Sequence, residues 1–264
     1  MQINIFNELR MKKIRNSVYL IIFGICLCTL YSCKKETEII DPNALGAAYY
    51  PLTIDKFWIY KVDSINYSKT IGVVVDSSSS YIMELVRDSF LNKENEQVYE
   101  IDIFHRRDTV SAWELIDNSF ITRNKSNLRK TEFGLDFIRL VFPVQKNKSW
   151  DGNILIAKNN SVFINGEPFE PFRYWNGNTY YYKNILKNVL VGEKQYAKVA
   201  EVEEINYDND LYNYIYATAK YAENVGMVYR EFWLLKTSID NPSVGWKQKA
   251  ERGFILRQTL IQHN

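Results

Sequence analysis

The chain has little of what metal, thiol or redox chemistry requires. It holds two histidines and three cysteines in 264 residues. Cys26 and Cys28 lie inside an apolar run near the N-terminus, and Cys33 follows directly behind it. Beyond Cys33 no cysteine remains for a disulfide, a thiolate nucleophile or a Cys/His zinc site. His105 ends a strand-like segment, and penultimate His263 is expected to fray. The "HRRD" around His105 looks superficially like a kinase catalytic loop, but the Gly-rich loop and its partners are missing. No G-x-S-x-G, P-loop or dinucleotide fingerprint is present, so no cofactor is expected. Glycine (11) and proline (6) are also scarce, which excludes a low-complexity or disordered chain.

Long apolar runs are missing too. The longest near the N-terminus, Val18 to Leu30, has 13 uncharged residues, short of the roughly 20 that span a bilayer. It follows the basic stretch Met11-Lys12-Lys13-Ile14-Arg15 and ends in Leu30-Tyr31-Ser32-Cys33. That order is the one expected of a secretory signal. The last four residues resemble a bacterial lipobox, in which the cysteine is acylated and the peptide is cut just before it. The resemblance implies residues 1–32 as a lipoprotein signal peptide, with residues 1–10 either extra n-region or preceding the true start. It makes Cys33 the lipid attachment point, so the membrane is a partner. Lys34, rather than Asp, behind the cysteine favours the outer membrane by analogy with lipoprotein sorting. Residues 33–48 read as a lipidated tether.

Charge of one sign is absent from the remainder. Residues 1–32 hold four of the 33 basic side chains and one of the 31 acidic ones, so the net of +2 belongs to the leader. A near-neutral body gives no footprint for nucleic acid.

What the chain does have is aromatic: 19 Tyr, 14 Phe and 6 Trp. From Tyr49 onward, short runs of β-branched and aromatic residues alternate with polar ones. They occur at 57–67, 81–90, 97–106, 136–142, 196–207, 212–221, 226–236 and 253–262. Turn chemistry separates them, including Asp76 to Ser80, Asn92 to Asn95, Lys158 to Asn160, Asn176 to Asn178 and Asp240 to Pro242. The expected fold over residues 49–264 is all-β with little helix: an antiparallel curled sheet or partly open barrel that hides its edges.

One pattern occurs twice. "YPLTIDKFW" ends at Trp58 and "FPVQKNKSW" ends at Trp150, with the prolines 92 residues apart. Both read aromatic, Pro, aliphatic, then Asp or Asn, Lys, and Trp. Pro51 and Pro143 suit the start of an edge strand. Asp55 and Asn147 tolerate a left-handed turn, and the tryptophan plugs the core. The expectation is a strand-turn-strand corner opening each of two similar β halves, 49–140 and 141–264.

The opening "YYPLTIDKFWIY", together with "YAENVGMVYRE" (221–231) and "GFILRQTLIQHN" (253–264), resembles segments of a family of uncharacterised Bacteroidota lipoproteins. Asp55 and Asn147 stand where that family carries a turn glycine. The resemblance implies an exported lipoprotein with an antiparallel β domain and supplies no activity.

Candidate chemistry is sparse. Glu201, Glu203, Glu204, Asp208 and Asp210 form the densest carboxylate cluster, with Glu201 and Glu203 on one strand face. Such a group suits Ca²⁺ or glycoside hydrolysis, but a solvated strand followed by a turn is its ordinary reading. Glu114 and Glu231 are further carboxylates that folding could pair. Tyr212, Tyr214 and Tyr216 share a strand face and are candidate ligand-face aromatics. Tyr180 to Tyr182 place rings on both faces of another strand, and Trp113, Trp175 and Trp233 lie on or near strands. The expected function is a non-enzymatic binding or envelope-structural module. A carrier of lipid or apolar ligand and a glycan-acting or glycan-binding protein are the alternatives.

Overall fold

The structure is a computed structural model. It describes residues 46–264 except Thr70, 165–166, Asn176, Asn178 and 209–210. Cys33, the signal peptide, tether residues 33–45 and Asp210 lie outside the described residues. Ala47 and Ala48, grouped with the tether by composition, are buried, so the packed body already includes them.

Alternating β-branched and aromatic residues build β1 (Phe57–Lys69), β2 (Val73–Leu91), β3 (Gln97–Arg106), β4 (Glu114–Arg123), β5 (Asn127–Glu132) and β6 (Leu135–Val141). After β7 (Ser149–Trp150) comes a separate hairpin, β8 (Val162–Ile164) and β9 (Glu167–Phe169). The chain then makes β10 (Tyr180–Val191), β11 (Lys194–Tyr207), β12 (Asn213–Ala222) and β13 (Gly226–Lys236). One helical turn, α1 (Trp246–Lys249), precedes β14 (Arg252–His263).

Twelve strands form one antiparallel sheet in the order β6-β5-β4-β3-β2-β1-β14-β13-β12-β11-β10-β7. It is nearly closed and barrel-shaped, with an unsealed seam between β6 and β7. The order is two six-strand runs placed head to tail. The first runs from β6 back to β1, and the second from β14 back to β10 and β7.

Each run opens on the same corner. Asp55 and Asn147 have φ of 65° and 66°, the left-handed region that Asx residues tolerate. Lys56 N donates to Thr53 O and Lys148 N to Gln145 O, both at 3.1 Å. Each turn then docks beside a bulge. Asp55 N donates to Val86 O (2.9 Å) and Val86 N to Lys56 O (2.8 Å). Asn147 N donates to Tyr182 O (2.8 Å) and Tyr182 N to Lys148 O (3.0 Å). The register shifts just past these residues, at Val86/Asp88 and Tyr182/Asn184. Even the lysines correspond: Lys56 Nζ donates to Asn264 O after β14, and Lys148 Nζ to Phe142 O after β6 (2.6 Å). Both tryptophans are buried and spend their indole N–H on a backbone carbonyl, Trp58 on Val225 and Trp150 on Ile138.

Several expectations are corrected. A short 3-10 turn, Ala47–Tyr49, precedes the first corner in place of a strand. β1 is central, flanked by β2 and β14, and is not an edge. Asp76 to Ser80, read as turn chemistry, are strand residues of β2 because β1 supplies partners. Ser64 and Ser78 hydroxyls are 2.8 Å apart, and Ser79 donates to Asp63. His263 is not frayed: it sits in the ladder opposite Trp58.

The two corners give a matched test. Asp55→Ala and Asn147→Ala should each destabilise the fold by about 1 kcal/mol, whereas glycine at either site should stay within about 0.5 kcal/mol of the parent. Denaturant unfolding of the four variants checks both effects.

Candidate functional site

Among the described residues the sheet encloses a large cluster of buried rings. Trp58, Tyr49, Tyr60, Tyr180, Tyr182 and Phe169 are among its fully buried side chains. Trp175, placed near a strand by its sequence context, lies before β10 and stacks on Phe172 (5.7 Å) and Tyr180 (6.3 Å). Charges share this space. Lys130 and Glu84 pair at 2.6 Å with both side chains buried. Arg139 bridges Glu132 (2.6 Å) and Glu204 (2.9 Å), and Arg230 meets the same carboxylates at 2.8 and 3.8 Å. Burial would raise the Glu132 pKa, but the flanking Arg139 and Arg230 outweigh it and hold the carboxyl far below its usual range. Buried Tyr50, Tyr60 and Tyr180 are pushed well up by burial and stay protonated donors. Rings and ion pairs thus lie side by side in the buried part of the sheet.

The acidic cluster is divided by a bulge between Glu203 and Ile205. Glu204 turns inward to Arg139, contrary to the solvated strand expected from its charge. Glu203 faces outward but is nearly buried. It accepts from Tyr181 Oη (3.1 Å) and Lys183 Nζ (2.7 Å). Glu201 accepts from Asn184 Nδ2 (2.9 Å) and lies 3.8 Å from Lys220. Asp208 accepts from the Trp246 indole at 2.8 Å. Glu114 is exposed at the start of β4 beside His105, which is next to last on β3. Trp113 covers the Arg106 guanidinium at 4.4 Å, away from the other tryptophans.

The outer face of β11 to β14 carries a better constellation. Period-two alternation sends Ile215, Ala217, Ala219 and Tyr221 into the core and leaves Tyr214, Tyr216, Thr218 and Lys220 outside. Next door, β13 presents Tyr229, Glu231 and Trp233 outward while Val228 and Leu234 are buried. The register sets Tyr216 opposite Trp233, Thr218 opposite Glu231, and Lys220 opposite Tyr229. The segment carrying α1 then folds over one end of this face. Trp246 stacks on Tyr214 (5.3 Å, 15°), and Tyr214 on Tyr216 (6.5 Å, 5°). Trp233 stands edge-on to both tyrosines, at 83° and 88°. Tyr212, the third tyrosine of the expected shelf, precedes β12 and is exposed; its carbonyl accepts from Thr237 N. Sequence reasoning missed Trp246 and Tyr229. Only folding of the loop brings Trp246 to the stack, but the outward parity of Tyr229 with Glu231 and Trp233 was visible in "VYREFW".

Glu231 organises the shelf. It accepts from the Trp233 indole (2.8 Å), Arg257 Nε (2.7 Å) and Tyr229 Oη (3.0 Å). Burial would raise its pKa, yet these hydrogen bonds prevail and hold the carboxyl below its ordinary value. Tyr214 is pushed up to about 12 by burial and by Asp208, and Tyr229 to about 12 by burial and by Glu231. Beside the stack lies an open groove of about 310 Å³, lined by Glu201, Tyr216, Thr218, Lys220, Tyr229 and Glu231 among others. Among the described residues no three His, Cys, Asp or Glu side chains converge as metal ligands would.

No protein family matches the chain, and neither a curated protein nor a solved structure is similar to it.

The depressed Glu231 fixes a pH dependence. Its stabilising contribution is fully present above the unfolded-state value of 4.5 and is lost as pH falls through the lower folded value. Glu231→Gln should therefore cost stability at neutral pH, with the difference from the parent shrinking in acid below that value. Urea unfolding of both proteins across this range measures it.

Proposed function

We propose that the chain is an exported lipoprotein, held in the outer membrane through a lipid on Cys33, and that it serves there as a non-enzymatic binding module. The observation that carries the binding role is the division of labour between the two faces of the sheet. The inside is spent on packed rings and paired charges. The outside of β11 to β14 holds a rigid aromatic shelf beside an open groove. Its central carboxylate is engaged: Glu231 accepts from three donors and sits below the ordinary carboxylate range. A general acid at neutral pH needs the opposite shift, and a glycosidase pair needs two carboxyls in contrasting environments. The groove thus offers fixed acceptors and ring faces, which suits recognition more than proton transfer. The signal-like N-terminus and the Leu30-Tyr31-Ser32-Cys33 sequence support the anchor.

Both parts are testable in cells. Cys33→Ser should move the protein from the membrane fraction to the soluble one; unchanged membrane attachment would contradict the anchor. A photo-cross-linking p-benzoylphenylalanine in place of Leu190, which is exposed and lines the groove, should give an envelope adduct. The same group in place of exposed Phe163 on β8 should not. Equal labelling at both positions, or none at either, would contradict the binding surface.

A further inference from the structure

We infer that the groove at Tyr216 takes a neutral sugar, a pyranose whose apolar face lies on the Tyr216 ring. This rests on the outer shelf being the binding surface, and it adds the chemical class of the ligand.

The ring stack supplies the first argument. Trp246, Tyr214 and Tyr216 are near-parallel in succession, and Trp246 is tied by its indole N–H to Asp208 at the end where β12 begins. Tyr214 lies between two rings and lines neither adjoining groove. Tyr216 lines the groove at one end of the stack, and Trp246 the groove at the other. Tyr216 is thus a terminal ring. One face is directed to Tyr214, Trp233 meets it edge-on, and its groove side continues toward Thr218 and Lys220 along the strand. Neighbouring rings and strand pairing hold it in place, so a ligand would lose little by ordering it.

Charge supplies the second. The acids around the groove each have a basic partner on the same face: Glu231 with Arg257 (2.7 Å), Glu203 with Lys183 (2.7 Å) and Glu201 with Lys220 (3.8 Å). An ionic ligand would compete with these partners for their charges. A neutral ligand does not, and it can donate hydroxyl hydrogens to the remaining carboxylate lone pairs. Thr218 already donates its hydroxyl to Val202 O, which leaves that oxygen able to accept. An apolar face above one ring and a rim of hydroxyls facing carboxylates describes a pyranose. The groove volume lies at the small end of ligand sites.

The test is affinity electrophoresis of the detergent-solubilised full chain through gels containing laminarin, xylan, mannan, dextran or starch, with alginate and heparin as anionic comparisons. At least one neutral polysaccharide should retard the protein, and raising salt should not abolish the effect. Tyr216→Ala should weaken that binding about tenfold, Tyr216→Phe should retain it, and thermal unfolding should show that both variants are folded. No retardation by any neutral polymer, retardation by the anionic polymers alone, or undiminished binding by Tyr216→Ala would overturn the assignment. The Leu190 cross-link separates the two failures. A protein adduct there without retardation removes the sugar and keeps the binding surface; no adduct and no retardation removes both.

Discussion

The fold depends on closing a twelve-stranded sheet where one edge has almost no strand to offer. On the sealed side, β1 and β14 pair from Trp58/His263 to Tyr67/Gly253. At the seam, β7 contributes only Ser149 and Trp150. Side chains, with one backbone hydrogen bond, do the joining there. The Trp150 indole donates to Ile138 O, and Ile138 N donates to Gly152 O (2.8 Å). The Tyr182 hydroxyl accepts from Val141 N and donates to Val141 O. Gly152 permits the approach, since a Cβ there would fall 2.5 Å from the Tyr180 ring. Behind the seam, Arg139 of β6 meets Glu204 of β11, and Glu132 of β5 meets Arg230 of β13. Each of these ion pairs joins one six-strand run to the other. Desolvating four charges is costly and not an obvious source of net stability. What the quartet supplies is a defined way for β5 and β6 to face β11 and β13.

That closure has a functional consequence. Rings and paired charges line the inside among the described residues, and the groove beside the aromatic stack lies on the outer face. There the same alternation that buries Ala217, Ala219 and Val228 turns half-buried Tyr216 and Tyr229 outward. Arg230 and Glu231 are neighbours in sequence with opposite assignments. Arg230 is directed into the quartet, and Glu231 orders the shelf. The inner closure and outer surface are therefore set by one strand register, and a slip of one residue would exchange them.

Much of this was legible in the sequence, and the misses have physical causes. The repeated corner was readable because a positive φ restricts residue choice and a buried tryptophan has few substitutes; Asp55, Asn147, Trp58 and Trp150 all stand as their chemistry implies. Strands such as β3 and β13 had clean alternation. β4 and β5 mix polar and apolar residues and did not stand out, and of β10 only Tyr180 to Tyr182 were read as strand. Ser77 to Ser80 look like a turn until Asp63 and Ser64 are placed opposite them. Glu204 looks solvated because the bulge that turns it inward has no sequence signature, and its partner Arg139 lies 65 residues away. The shelf tyrosines Tyr214 and Tyr216 were found from parity alone. Trp246 could not be, because a loop brings it there.

The seam is tested most directly by amide hydrogen exchange at Ile138 and Val141, whose acceptors are Gly152 O and the Tyr182 hydroxyl. If these hydrogen bonds close the sheet, both amides should exchange within about tenfold of the most protected strand amides, because they open only when the fold does. Exchange of Ile138 and Val141 as fast as the Asn92 to Glu96 turn would show an open edge and contradict the account.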